Sequence, residues 1–124
     1  MRRILVVDDE VEVADTIASL LKFRGYETDV AITGIAALKI AEGREIGLVL
    51  LDWNLAGANG PSGTTLVEKL RQVCGGSVPV VVVSADPQAL SEAVRAEVAD
   101  YLPKPFVVSD LLRVVDEYCV WPDN

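Results

Sequence analysis

The stretch Ile4-Leu5-Val6-Val7-Asp8-Asp9-Glu10 decides the fold, because a continuous aliphatic run in it ends abruptly in acids. Four consecutive aliphatic residues bounded by polar ones are typical of a strand that is buried on both faces. A second such run, residues 46–51, ends at Asp52. Strand ends of one kind lie along the same edge of a parallel sheet. We therefore expect Asp8, Asp9 and Asp52 to meet there.

The chemistry of three converging carboxylates points to a metal ion. The chain contains no histidine, and no basic residue stands next to these acids. Carboxylates brought together in this way repel one another, and a hard divalent cation relieves the repulsion. The sequence therefore predicts a magnesium site built around a reactive aspartate.

Predicted strands alternate with predicted helices along the whole chain. The strands are expected at residues 3–7, 27–31, 46–51, 79–84 and 100–102, and the second of them is polar enough for a sheet edge. The helices are expected at residues 11–24, 33–41, 63–74, from 87 onward after a cap at Asp86, and up to 119 after a cap at Ser109. This alternation predicts an α/β fold with right-handed crossovers and a parallel sheet covered on both faces. A doubly wound, flavodoxin-like sheet of strand order 2-1-3-4-5 is the expected topology, with ligands at the carboxyl ends of the strands.

Composition limits the class of protein. The 124 residues form one expected domain, residues 1–124, and 51% of them are hydrophobic. No apolar run approaches the roughly 18 residues needed to cross a bilayer, so we expect a cytoplasmic protein without membrane contact. A net charge of −8 argues against direct nucleic-acid binding. The absence of histidine excludes a Ser-His-Asp triad and most transition-metal sites.

The residues at the expected strand ends resemble those of a known family. They are Asp8 and Asp9, then Asp52 within Leu50-Leu51-Asp52-Trp53-Asn54, then Ser84, and finally Lys104 within Asp100-Tyr101-Leu102-Pro103-Lys104-Pro105-Phe106. Taken in order, these residues resemble the receiver domain of two-component response regulators, of the chemotaxis-regulator kind. The resemblance covers essentially the whole chain.

The resemblance implies a role for each of these residues. Asp52 would accept a phosphoryl group, while Asp9 and Asp52 would bind Mg²⁺ directly. Asp8 would bind the ion largely through water, and the backbone carbonyl of Asn54 would be a further ligand. Lys104 and the Ser84 hydroxyl would contact phosphoryl oxygens, and the Lys104–Pro105 peptide is usually cis in the family.

The resemblance also implies a switch and a set of partners. Ser84 would move toward the phosphoryl group and Tyr101 would turn inward, altering the surface of the fourth helix, fifth strand and fifth helix. The implied partners are a histidine kinase or histidine phosphotransfer protein, docking near Thr16 on the first helix, and a downstream output protein. A homodimer through the switch surface is also allowed, and no turnover of an external substrate is expected.

Alternatives remain open on the sequence alone. Each site residue has an ordinary structural interpretation, such as helix capping for Asp8 or a solvated hydroxyl for Ser84. An aspartate-nucleophile phosphatase is disfavoured, because Asn54 stands where such enzymes carry a second acid. A pseudo-receiver, which binds partners without accepting phosphate, is the main alternative.

Three features depart from the family pattern. Ala56 replaces the usual proline, and residues 57–63 form a longer, glycine-rich loop. Glu97 stands where the family often has glycine. If the fourth helix ends there in a left-handed residue, glutamate costs about 1 kcal/mol.

Overall fold

Five parallel strands form a single sheet in the computed structural model, which describes residues 3–53 and 63–119. The strands are β1 (Arg3–Val7), β2 (Glu27–Ala31), β3 (Leu48–Asp52), β4 (Val80–Ser84) and β5 (Asp100–Pro103). Their order across the sheet is β2-β1-β3-β4-β5, and all four pairings are parallel. The predicted fold class and the edge position of the polar second strand are therefore confirmed.

In the same described ranges, four helices connect the strands and a fifth follows the last strand, and together they cover both faces of the sheet. They are α1 (Val11–Phe23), α2 (Gly34–Gly43), α3 (Gly63–Cys74), α4 (Pro87–Arg95) and α5 (Val108–Tyr118). Within the described ranges, no helix combines the length and apolar character needed to span a membrane. Ala56 and residues 57–62 of the longer loop lie outside the described residues, which resume at Gly63.

The structure shows which residues cap the N-terminal ends of the helices. Thr33 Oγ1 accepts a hydrogen bond from the backbone N–H of Ala36 at 3.0 Å, and Asp86 Oδ1 accepts one from that of Gln88 at 2.9 Å. These two predicted caps are confirmed. The predicted cap at Ser109 is wrong, because α5 begins at Val108, two residues earlier than predicted, and its cap position is Val107, which offers no side-chain bond. Ser109 therefore lies inside the first turn, where a hydroxyl cannot cap the helix.

Alternate residues of the strands pack into two separate cores. Leu5, Val49 and Leu51 belong to the core under α2, α3 and α4. Ile4 and Leu50 belong to the opposite core, under α1 and α5. The central strands are apolar on both faces because each face is covered by helices. This arrangement accounts for the high hydrophobic content and leaves the strand ends as the place for polar side chains.

The C-terminal end of α4 carries a strained residue. Glu97 has φ of 57°, the left-handed conformation considered from the sequence. The Arg71 guanidinium of α3 donates to the backbone carbonyls of Ala96 and Glu97 at 2.8 and 2.7 Å. Carbonyls at the end of a helix lack partners within the helix. Arg71 therefore stabilises this helix end and ties it to α3.

Replacing Glu97 by glycine should raise the free energy of unfolding by about 1 kcal/mol, because glycine adopts positive φ without a Cβ clash. Urea unfolding followed by circular dichroism measures the change. The matched control is Glu68→Gly in the right-handed interior of α3, which should lower stability by about 1 kcal/mol. Equal losses in both variants would show that Glu97 is not strained.

Candidate functional site

Polar side chains gather where three neighbouring strands end. Asp8 follows β1, Asp52 ends β3 and Ser84 ends β4. Their residues are 2%, 7% and 1% exposed, and they are the buried polar or charged residues of the part of the chain that the structure describes. Burial of a carboxylate is costly unless it is paired. This edge of the sheet is therefore the chemically significant part of the molecule.

Lys104, which follows β5, neutralises part of this negative charge. Its Nζ donates to Asp8 Oδ2 at 2.9 Å and to Glu10 Oε1 at 3.3 Å, and lies 3.7 Å from Asp52 Oδ2. The peptide bond between Lys104 and Pro105 is cis, as the resemblance implies. The lysine thus joins the ends of β1, β3 and β5.

The charge state of Lys104 follows from these contacts. Partial burial lowers the pKa of the ammonium, but the hydrogen bond to Asp8 and the charges of Asp52 and Asp8 outweigh burial, so the pKa lies above its ordinary value. Because the pKa of Lys104 is raised, its ion pairs contribute fully to the free energy of unfolding at neutral pH. This contribution is lost only in strong alkali, as the pH rises through that pKa. Lys104 is therefore a permanent positive charge in this site.

The carboxylates offer oxygen donors suited to a small divalent cation. Oxygen atoms of Asp8, Glu10 and Asp52 lie within 4.8 Å of one another. Hard cations such as Mg²⁺ prefer carboxylate oxygens and retain several waters, so a few protein ligands suffice. The donor set fits the predicted cofactor.

The predicted metal ligands differ in their position relative to the cluster of Asp8, Glu10 and Asp52. Asp9 lines a cavity of about 450 Å³ together with Asp52, Ser84 and Lys104, but it is not one of the three clustered acids. Asn54 lies outside the described residues. Sequence reasoning did not select Glu10, although it follows Asp8 and Asp9 directly. Its backbone N–H bonds to Asp8 Oδ1 at 2.9 Å, and this local turn brings its long side chain toward Lys104.

The two residues predicted to switch are linked by hydrogen bonds. Ser84 Oγ accepts from the backbone N–H of Asp86 at 3.1 Å. The Tyr101 hydroxyl lies 3.2 Å from the carbonyl oxygen of Ser84 and 3.3 Å from that of Asp86. Tyr101 thus contacts the connection between β4 and α4 directly. The proposed movement of the pair stays a prediction.

Comparison with known proteins agrees with this geometry. The family model of the response regulator receiver domain matches residues 4–116. The sensory transduction protein RegX3 of Mycobacterium tuberculosis is 36% identical over 114 residues, which cover 90% of this chain and 48% of that protein. The chain thus spans about half the length of the curated relatives it matches.

Solved structures show the same fold. A CheY-like response regulator receiver domain protein from Methanospirillum hungatei superposes with a TM-score of 0.84 at 28% identity, covering 94% of this chain and 92% of that one. The receiver domain of NtrX from Brucella abortus gives a TM-score of 0.84 at 32% identity, covering 94% and 97%.

Mg²⁺ should stabilise the folded chain, because it relieves repulsion among the clustered carboxylates. At about one hundred times its dissociation constant, the ion should add about 2.7 kcal/mol to the free energy of unfolding. Thermal unfolding with and without Mg²⁺ measures this gain.

The variant Asp52→Asn should be more stable than the parent chain without metal, since one repelling charge is gone, and should lose most of the response to Mg²⁺. Glu42→Gln, at an exposed position of α2, should respond like the parent. An undiminished response in Asp52→Asn would contradict the placement of the metal site.

Proposed function

The chain belongs to the response regulator receiver domain family, and on this premise we propose that Asp52 accepts a phosphoryl group from a phosphohistidine of a partner protein. Acceptance would switch the surface of α4, β5 and α5 toward an output protein. We infer from the site both that this chain accepts a phosphoryl group and that it acts with these two partners.

The observation that carries the proposal is the pairing of a buried carboxylate with a fixed ammonium group. Asp52 is 7% exposed, and Lys104 Nζ lies 3.7 Å from it while bonded to Asp8. An anionic phosphoryl group approaching Asp52 would thus meet a positive charge already in place. Preorganised charge of this kind contributes much of the catalysis of phosphoryl transfer.

The proposed reaction is a direct transfer. A carboxylate oxygen of Asp52 attacks phosphorus, the P–N bond of the phosphohistidine breaks, and its electron pair returns to the imidazole nitrogen. Lys104 stabilises charge on one phosphoryl oxygen, and the Ser84 hydroxyl donates to another. Asp8, Asp9 and Asp52 would hold Mg²⁺, and the ion would supply positive charge that offsets the negative charge of the carboxylates and of the incoming phosphoryl group.

A groove beside the site offers a place for the phosphodonor. A cavity of about 580 Å³ opens between α1 and the segment after β5, lined by Val13, Thr16, Ile17 and Phe106 as well as Lys104. It adjoins the acidic cavity through Glu10 and Lys104, which line both. A partner helix carrying the phosphohistidine would fit here, next to the acceptor.

Incubation with Mg²⁺ and acetyl phosphate should add one phosphoryl group to the chain, since this donor needs no docking surface. Intact-mass spectrometry measures the gain. Asp52→Asn should show none, whereas Asp15→Asn, exposed on α1, should behave like the parent. Absence of any gain in the parent chain would favour the pseudo-receiver interpretation. Release of phosphate from many phosphoesters over repeated turnovers would favour a phosphatase.

Replacing Lys104 by methionine should slow phosphorylation by about a hundredfold, because one preorganised charge is lost where negative charge develops. The rate comes from the same mass assay at several times. Lys104→Arg keeps the charge and should retain more activity than Lys104→Met. Equal rates in parent and Lys104→Met would remove Lys104 from the proposed mechanism.

A further inference from the structure

Trp53 connects the proposed phosphoacceptor to helix α4. It directly follows Asp52 and is 5% exposed. Its indole Nε1–H donates to Glu92 Oε1 at 2.5 Å. Glu92 lies near the middle of α4, and its own residue is exposed. A buried side chain next to the site is thus bonded to a carboxylate on the surface of the molecule.

The indole ring has little freedom to move independently. A Cβ atom built on Gly63, the first residue of α3, would lie 2.6 Å from Cδ2 and Cε2 of the ring. The ring therefore lies against the glycine backbone. On the side of α4 it belongs to the same core as Ala89 and Ala93. Packing of this density passes a displacement of the ring to its neighbours.

Helix α4 depends on a few polar contacts for its position. It has nine residues, and its buried side chains are Ala89 and Ala93. A helix this short is marginal by itself, and two alanines bury little apolar area. Arg71 holds the carbonyls at its C-terminal end. The Trp53–Glu92 bond is a contact near its middle, and it leads to Asp52.

We propose that the Trp53–Glu92 hydrogen bond transmits changes at Asp52 to helix α4, with Glu92 as the positioning residue. The inference rests on the proposed phosphorylation of Asp52. Phosphorylation of Asp52 changes the charge and volume next to the Trp53 backbone. Because the ring is wedged against Gly63, the resulting shift passes through the indole N–H to α4. A bond to an ionised acceptor is strong enough to act as such a link.

Hydrogen exchange of the α4 amides, residues 88–95, tests the link with and without acetyl phosphate and Mg²⁺. Intact mass in the same samples reports phosphorylation. In the parent chain, phosphorylation should change the α4 exchange rates. In Glu92→Ala the phosphoryl group should still be gained, but the α4 response should shrink by about tenfold, near the lower end of what the loss of a bond to a charged group gives, because Glu92 is exposed.

Two further variants distinguish transmission from Asp52 to α4 through this bond from a role of Glu92 in the stability of α4 alone. Glu92→Gln retains an acceptor oxygen and should restore the response, whereas a purely electrostatic role of Glu92 would leave it reduced. Ser91→Ala, exposed on the same helix, should respond like the parent. An α4 response in Glu92→Ala equal to that of the parent would overturn the proposal. So would a phosphorylated parent chain in which α4 exchange does not change.

Failure of the proposed function gives a different result. If the parent chain gains no mass, phosphorylation of Asp52 is wrong and the link has no phosphoryl signal to carry. Unfolding of Trp53→Phe, Glu92→Ala and the double variant then measures the bond itself. The contact is supported if the unfolding constant of the double variant differs by about fivefold from the value expected when the effects of the two single variants are combined. Additive constants would overturn it in the unphosphorylated chain.

Discussion

The ion pairs of Lys104 with the acids at the ends of β1 and β3 are the interaction on which the site depends. Asp8 and Asp52 are buried, and two buried carboxylates near each other would repel strongly without a counter-charge. Lys104 Nζ lies 2.9 Å from one and 3.7 Å from the other. One ammonium for several carboxylates leaves excess negative charge, which attracts a divalent cation.

The apolar sheet determines where these charged side chains lie. The central strands are buried on both faces, so their polar side chains are confined to the strand ends. Parallel pairing then places Val7 beside Leu51 and Asp52 beside Val83. Asp8, Asp52 and Ser84 reach one edge through this register. A shift of one residue in the pairing of a strand would exchange the two faces of that strand and move its end residue out of line with the others.

Helix α4 is held to the body of the fold in a different way from the strands. The core under it is held by alanines, while its ends and its middle are tied by polar contacts from Asp86, Arg71 and Trp53. Polar contacts can exchange partners at little cost, whereas close-packed apolar layers resist change. Under the proposed link, the sheet is the rigid part of the molecule and α4 is the element that phosphorylation of Asp52 would displace.

The sequence by itself indicated the alternation of strands and helices, the edge position of β2 and the polar residues at or next to the strand ends, because hydrophobic period and strand-end acids are local properties of the chain. The alternation in turn favoured the observed strand order. The resemblance to the family raised the left-handed conformation of Glu97 as one option, because glycine is often found at that position, and the structure shows this conformation. Tertiary structure decided that the Glu10 side chain joins Asp8 and Asp52 in the cluster of carboxylates, and that Trp53 bonds to Glu92. These contacts join residues through side-chain direction and helix placement, which depend on packing across the fold and leave no periodic signal in the sequence.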